Sequence, residues 1–396
     1  MKSPGTKFLN IAVAGTGHVG RQVIERLHAL KGQGAPINLK VAVGRQSKTW
    51  LKTYDMAFSD ALTLLPQRQD IDVVVECIGG VTQAYQLAAG CLAASKSFVT
   101  CNPPLLGAYG AQLMAQAQAQ GGEIGLEGVV NGYLPVSSWV RGLPAAELIS
   151  YFDVPVDSAL KRMATEQVDF YEACQQENAD FSGKTALYRS IALQHIAYGH
   201  METRYRKPLR YQPDRLSQGL VELAGRLGGR LALQGRITPH QVKVGLVLRL
   251  GEGTHMSQES LFAGDAILTL PPRTVDTAAQ GIVYDVLQLA SGQSLQRGVV
   301  PEWAQLAVRT QSNPIDMYFI GVGLERRAEF RRDVRWQVIR EEVDQQQAQV
   351  GFFVESAMTA EMIQAALGAD AAVFPVDTRE AQGAYNGMGV QTVRSA

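Results

Sequence analysis

Apolar positions in the first third of the chain fall into two alternating patterns. Short apolar runs at 8–14, 38–44, 71–78, 97–101 and 123–130 have the length and bounding turn residues of buried strands. Between them, at 19–30, 82–94 and 108–118, apolar residues recur as along one face of a helix. Gly32-Gln33-Gly34-Ala35-Pro36 ends the first helix, because glycine and proline interrupt regular structure. Regular strand–helix alternation predicts an α/β fold on a doubly wound parallel sheet.

Beyond about residue 135 the pattern changes. Segments 158–176, 184–199 and 277–290 have helical spacing. Val242, Val244, Leu246, Leu248 and Leu250 alternate as in a half-buried strand over 241–250. A further strand at 266–270 runs into Pro271-Pro272. From Asn313-Pro314 onward, 317–322, 350–355 and 371–376 read as strands and 332–343 and 360–367 as helices. Three units are expected: 1–135, a Rossmann-type sheet; 136–312, an α+β domain; and 313–396, a small α+β module with a loose tail from Gln382.

The composition suits a globular protein of 396 residues, 46% hydrophobic and 19% charged. Lys+Arg and Asp+Glu both number 37, so no net charge draws the chain to nucleic acid or an anionic membrane. Cys77, Cys91, Cys101 and Cys174 include no CxxC pair, which argues against a disulfide framework or a zinc site. Neither a secretory leader nor an apolar run of transmembrane length is visible, so a cytoplasmic protein with reduced thiols is expected.

The most informative residues are Gly15-Thr16-Gly17-His18-Val19-Gly20, between the first strand and the first helix. In that setting the first glycine makes a tight turn, the second admits a pyrophosphate and the third lets helix and strand pack closely. The helix N-terminus adds unpaired N–H groups and a positive dipole end. The second strand ends in Gly44-Arg45-Gln46-Ser47-Lys48, without the carboxylate that holds the ribose hydroxyls of NAD. Arg45, Ser47 and Lys48 suit a 2′-phosphate, so NADP is expected rather than NAD. The alternative is that Arg45 and Lys48 are solvated loop charges.

Further motifs carry a family resemblance. Asp72-Val73-Val74-Val75-Glu76-Cys77-Ile78-Gly79-Gly80, Phe98-Val99-Thr100-Cys101-Asn102-Pro103-Pro104-Leu105-Leu106 with Tyr109-Gly110, and Glu127-Gly128-Val129-Val130-Asn131-Gly132-Tyr133-Leu134-Pro135 resemble consecutive segments of the homoserine dehydrogenase family. Residues 180–193 are similar to that family's D-x-x-G-x-D-x-x-x-K helix, and 276–290 to its helix that returns to the nucleotide domain, which implies that 277–290 packs back on the first unit. The last module resembles an ACT-type regulatory domain, with Glu325-Arg326-Arg327-Ala328-Glu329 in place of its D-R-P-G turn. The resemblance implies cofactor contacts from Gly15, Gly17, His18, Val19, Gly20, Arg45, Ser47, Lys48, Ile78, Gly79, Cys101, Asn102 and Glu127. It also implies a small-molecule substrate, and a homodimer formed through the middle sheet, with 241–250 as the candidate strand.

The departures from the family fall on its chemistry. Its lysines exchange the substrate proton, and its carboxylates bind the substrate ammonium and hydroxyl. This chain has Pro103 and Arg189 at the lysine positions and Thr185 at the aspartate position. Proline has no titratable group, and arginine stays protonated. The second glycine-rich loop has become 270–276. Lys184, Arg189 and Asp180 are left as substrate-binding candidates, the two cations favouring an anionic substrate. The expected function is an NADP-dependent oxidoreductase with an altered substrate or much reduced homoserine activity. The alternative is a non-catalytic NADP-binding sensor or partner protein.

Other groups suggest less. Cys101 reads as a nucleophile only with a partner base, and otherwise as a buried apolar residue. His195 and His200 lack the four-residue spacing of helical metal ligands. The basic stretch Arg204, Arg206, Lys207 and Arg210 reads as a solvated loop.

Overall fold

The computed structural model describes residues 8–54, 56–130, 136–137, 140, 147–153, 162, 166, 168, 172, 183–199, 218–238, 241–250, 254–260, 264–270, 275–295 and 316–377. Its strands are β1 (Leu9–Ala14), β2 (Ile37–Val43), β3 (Ala57–Ser59), β4 (Val73–Glu76), β5 (Ser97–Thr100), β6 (Ile124–Gly125), β7 (Glu147–Asp153), β8 (Gly229–Ile237), β9 (Val242–Leu250), β10 (Thr254–Ser260), β11 (Gly264–Leu270), β12 (Asp316–Gly323), β13 (Gln337–Asp344), β14 (Gln349–Ser356) and β15 (Ala372–Asp377). The helices are α1 (His18–Gly32), α2 (Thr82–Ala93), α3 (Pro103–Gln120), α4 (Glu127–Val130), α5 (Lys184–Tyr198), α6 (Gln218–Arg226), α7 (Val275–Ala290), α8 (Arg327–Arg332) and α9 (Ala360–Leu367).

Strands β1 to β6 form an all-parallel sheet in the order β3-β2-β1-β4-β5-β6. The order reverses between β1 and β4, which is the switch point of a doubly wound fold. Alternate residues face opposite sides because the strand period is two. Ala12, Ala14, Val41, Val43, Val74 and Phe98 pack with residues of α2, α3 and α5. Ile11, Val13, Ala42, Val73, Val75 and Val99 pack with α1 and α7. Helix α7 thus returns to the first sheet from far along the chain, and Arg26 of α1 pairs with its Asp276.

The second sheet has nine strands in the order β11-β10-β7-β8-β9-β15-β12-β14-β13. Strands β12 to β15 with α8 and α9 form two β-α-β halves, in the spatial order β15-β12-β14-β13. This module joins the middle strands through a parallel pairing of β15 with β9, at Val376–Leu248 and Asp377–Arg249. Helix α6 bridges the two parts, with Arg226 on Asp344 of β13 at 2.6 Å. Within the module Phe330 stacks on both Trp336 and Phe352.

Two sequence expectations are corrected. The run 123–130 is not one strand: β6 stops at Gly125 and the chain turns into α4. There Asp285 of α7 accepts the Glu127 N–H at 2.9 Å, replacing a ladder partner with a side chain. The run 332–343 is not a helix: α8 ends at Arg332, and β13 pairs antiparallel with β14 through a register shift between Val338 and Arg340. Its charged residues suit an edge strand, a tertiary choice that overrides helical spacing. Helix α3 also begins earlier than its apolar spacing suggested. Asn102 caps it by accepting the Leu105 N–H at 3.2 Å, and Pro103 takes the first helical position, where a missing N–H costs nothing. Strands β3, β7, β8 and β10 and helix α6 carried no clear sequence signal. The segments 154–161 and 173–182, the basic stretch near 204–210 and the tail beyond 377 lie outside the described residues. Among the described residues no helix is long and apolar enough to cross a membrane.

Candidate functional site

The glycine turn closes the end of β1 at the switch point. Gly15 has φ +110, and a Cβ there would lie 2.4 Å from the Cys77 carbonyl oxygen. Only glycine fits such a turn against a neighbouring strand end. A Cβ on Gly20 would lie 1.9 Å from the Gly15 carbonyl, so α1 leaves the turn in direct backbone contact. Gly17 differs from both: a Cβ there would meet nothing within 4 Å. It precedes α1, whose first turn has no capping side chain and no acidic residue. The protein itself fills the space beside the outer glycines, while the middle one faces open space.

That space is a cavity of about 840 Å³ at the carboxyl ends of the strands. Gly15, Thr16 and Gly17 form its floor, and Cys77, Ile78 and Gln83 line it from β4 and α2. Val43, Gly44, Arg45, Gln46 and Lys48 enter from the end of β2, and Asp60 and Leu62 from the segment after β3. Five residues expected at the cofactor therefore share one cavity: Gly15, Gly17, Arg45, Lys48 and Ile78. Asp60 is the main residue that sequence reasoning missed. Its only signal was a position after a three-residue strand, too short to show in an apolar pattern.

A buried carboxylate shapes the next part of the wall. Glu76, fully buried, accepts the Ile78 and Gly79 N–H groups at 2.9 and 3.0 Å with one oxygen. Its other oxygen accepts the Thr100 hydroxyl at 2.6 Å. Thr100 in turn accepts the Asn102 N–H, and the Asn102 amide donates to Gly80 O at 2.7 Å. Asn102 and Gly79 thus belong to one network that fixes the loop after β4. Cys77 and Cys101 follow β4 and β5 directly, at neighbouring strand ends. The neighbouring Cys101 thiol, with burial, holds the Cys77 thiol well above its ordinary pKa.

Glu127 sits deeper than expected. It is buried, and its carboxylate accepts the Val136 and Ser137 N–H groups, fixing the backbone that follows α4. His18 and Val19 open α1, with Val19 packed on the core. Ser47 lies in the loop beyond β2.

The other end of the site is built by helix packing. Pro103 is buried at the start of α3. A Cβ on Gly107, one turn further on, would lie 2.0 Å from the Tyr188 ring, so α5 rests directly on α3 there. Lys184 is exposed at the start of α5, and Thr185 and Arg189 are half-buried along it. Asp180 and His200 lie outside the described residues. Among the described residues no three His, Cys, Asp or Glu side chains are grouped to hold a metal ion.

Comparison with known proteins matches this arrangement. Residues 15–127 match the family described as the homoserine dehydrogenase NAD binding domain. The homoserine dehydrogenase of Helicobacter pylori is 26% identical over 321 residues, covering 73% of this chain and 75% of that protein. That of Corynebacterium glutamicum is 30% identical over 154 residues, 37% of this chain and 34% of that protein. The crystal structure of a homoserine dehydrogenase from Thiobacillus denitrificans superposes with a TM-score of 0.67 at 19% identity, covering 94% of this chain and 99% of that one. The S. aureus homoserine dehydrogenase at pH 8.5 gives 0.64 at 17%, covering 94% and 100%. At these identities the structural likeness is one of fold. The chain resembles the homoserine dehydrogenases, and its first sheet resembles their NAD-binding domain.

Proposed function

We propose that this homoserine dehydrogenase-like chain is an NADP-dependent oxidoreductase acting on a CH–OH or C=O group, with homoserine turnover much reduced or replaced by another substrate. The observation that carries this reading is the cavity, with the glycine cradle at its floor and Arg45 and Lys48 at the end of β2. The open space beside Gly17 and the uncapped start of α1 suit a pyrophosphate. Arg45, with Lys48 and Ser47, would hold a 2′-phosphate, Arg45 by a two-pronged contact. The Glu76–Thr100–Asn102 network would keep the loop 78–80 in place along the cofactor. When bound, NADP would supply the hydride acceptor, and its reduced form the donor.

The reaction end supports a changed substrate. Pro103 has no proton to exchange, and Arg189 keeps its own. Lys184 and Arg189 suit a substrate carrying an additional carboxylate or phosphate. We place the homodimer contact on the sheet that contains β9, and read the β12–β15 module as a regulatory unit of ACT type.

The test combines thermal shift with nicotinamide absorbance, titrating NADP, NAD, homoserine and anionic hydroxy- and oxo-acids. NADP should raise the melting temperature more than NAD does, since a ligand that binds only the native state stabilises it. Homoserine should give little absorbance change, and an anionic hydroxy-acid more. Absence of any shift with NADP would reject the reading. The second reading, a non-catalytic NADP-binding protein, is favoured by Pro103 and would be supported by a shift without turnover on any of these compounds.

A further inference from the structure

Strands β4 and β5 run parallel in register from Val73–Ser97 to Glu76–Thr100. A cysteine follows each strand at once, so the register sets Cys77 and Cys101 side by side at neighbouring strand ends. Both side chains pack on the same core, on the α1 and α7 side of the sheet. Both are half-buried, and Cys77 lines the cavity. Cys91 provides the contrast: it is buried in α2, with no other cysteine beside it in the sheet register.

Neighbouring strands lie about 4.8 Å apart, within the roughly 4.4–6.8 Å between Cα atoms that a disulfide spans. Beyond the last ladder pair the two side chains are no longer held on the pleat. Cys77 is nevertheless tightly coupled to the cradle. Its N–H donates to Ala14 O at 2.7 Å, and its carbonyl abuts Gly15. Its neighbours Ile78 and Gly79 are the residues that Glu76 holds. A covalent bond at this point would therefore displace both the glycine turn and the loop after β4.

The geometry points to Cys77 and Cys101 as a modification site: a thiol pair that reacts with small disulfides to form an intrachain disulfide in the cavity wall, weakening nucleotide binding. The effect on binding rests on the nucleotide reading above; the pairing itself does not. In the first step the thiolate of one cysteine attacks a sulfur of the reagent RSSR, forming a mixed disulfide and expelling RS⁻. The second cysteine gives its proton to solvent and attacks the protein sulfur of that mixed disulfide, expelling a second RS⁻. Two protein thiols and one RSSR become one protein disulfide and two RSH, and two electrons pass to the reagent. Because Cys77 holds its proton, ring closure should accelerate as pH rises.

The experiment equilibrates the full chain in mixtures of reduced and oxidised glutathione, followed by peptide mass mapping and NADPH fluorescence titration. A Cys77–Cys101 linked peptide and about tenfold weaker NADPH binding are expected, both reversed by dithiothreitol. Cys91→Ser should keep this redox response, and Cys101→Ser should abolish it. A stable glutathione adduct, unmodified thiols under oxidising mixtures, or a linked peptide with unchanged NADPH affinity would each overturn the inference. Failure of the reduced protein to bind NADPH would instead sink the nucleotide reading and the binding effect with it. The linked peptide decides the pairing by itself.

Discussion

The glycine turn and the start of α3 lie at the ends of strands in one sheet, yet they differ in what they keep. At the turn each glycine has its own physical role, since Gly15 and Gly20 make room for backbone and Gly17 leaves room outward. At α3 the fold is equally well made, with Asn102 as cap and Pro103 at the first helical position. What position 103 lacks is a titratable group. Good local structure and reactive chemistry are therefore separable. A proline improves a helix start while removing the proton exchange that the family resemblance implies at that position.

The largest expected effect comes from breaking the first region. Gly15→Ala forces a side chain into a positive-φ turn against the Cys77 carbonyl. NADPH affinity should fall about a hundredfold or more, with a lower melting temperature. Gly17→Ala should weaken NADPH binding and leave the melting temperature of the free protein unchanged. Equal destabilisation of the free protein by both variants would erase the distinction between packed and open glycines.

The second region is tested by restoring it. The triple variant Pro103→Lys, Thr185→Asp, Arg189→Lys should raise homoserine oxidation about a hundredfold, the lower end of what general acid–base catalysis supplies. A gain as large from Pro103→Lys alone would mean that α5 is already competent. Arg45→Ala comes next: NADPH affinity should drop about tenfold or more, as for the loss of a charge-assisted contact, with NADH affinity little changed. A parallel loss for both nucleotides would place Arg45 at the pyrophosphate instead.

The smallest effect lies far from either region. Asp344 is held below the ordinary carboxylate range, first by the Gln347 N–H and then by Arg226. A lowered pKa in the folded state stabilises at neutral pH, and that contribution is lost as pH falls through the folded value. Asp344→Asn should therefore melt slightly below the native protein at pH 7 and equal to it in strong acid. A gap that persists in acid would assign the difference to packing of α6 rather than to charge.

Much of the cavity at the switch point was legible in the residues themselves. Apolar runs marked β1, β2, β4 and β5, and Gly15, Gly17, Arg45, Lys48 and Ile78 meet in one cavity. These features depend on local backbone geometry and on a short stretch of chain. Asp60 gave no signal because β3 is short, and β13 resembles a helix because its apolar spacing fits a helix as well as an edge strand. The role of Glu127 was also hidden: its partners, Val136 and Ser137, lie 9 and 10 residues further along, a separation that no periodicity reveals.

The sequence alone determined the doubly wound alternation, the glycine turn and the proline at position 103, since each follows from residue type and near-neighbour spacing. Only the tertiary structure decided which distant residues support them. It placed α7 on β1, set Glu76 beneath the loop after β4, joined β15 to β9, and set Cys77 and Cys101 at neighbouring strand ends. Those pairings depend on strand register and on chain return over long separations, and local pattern carries no information about either.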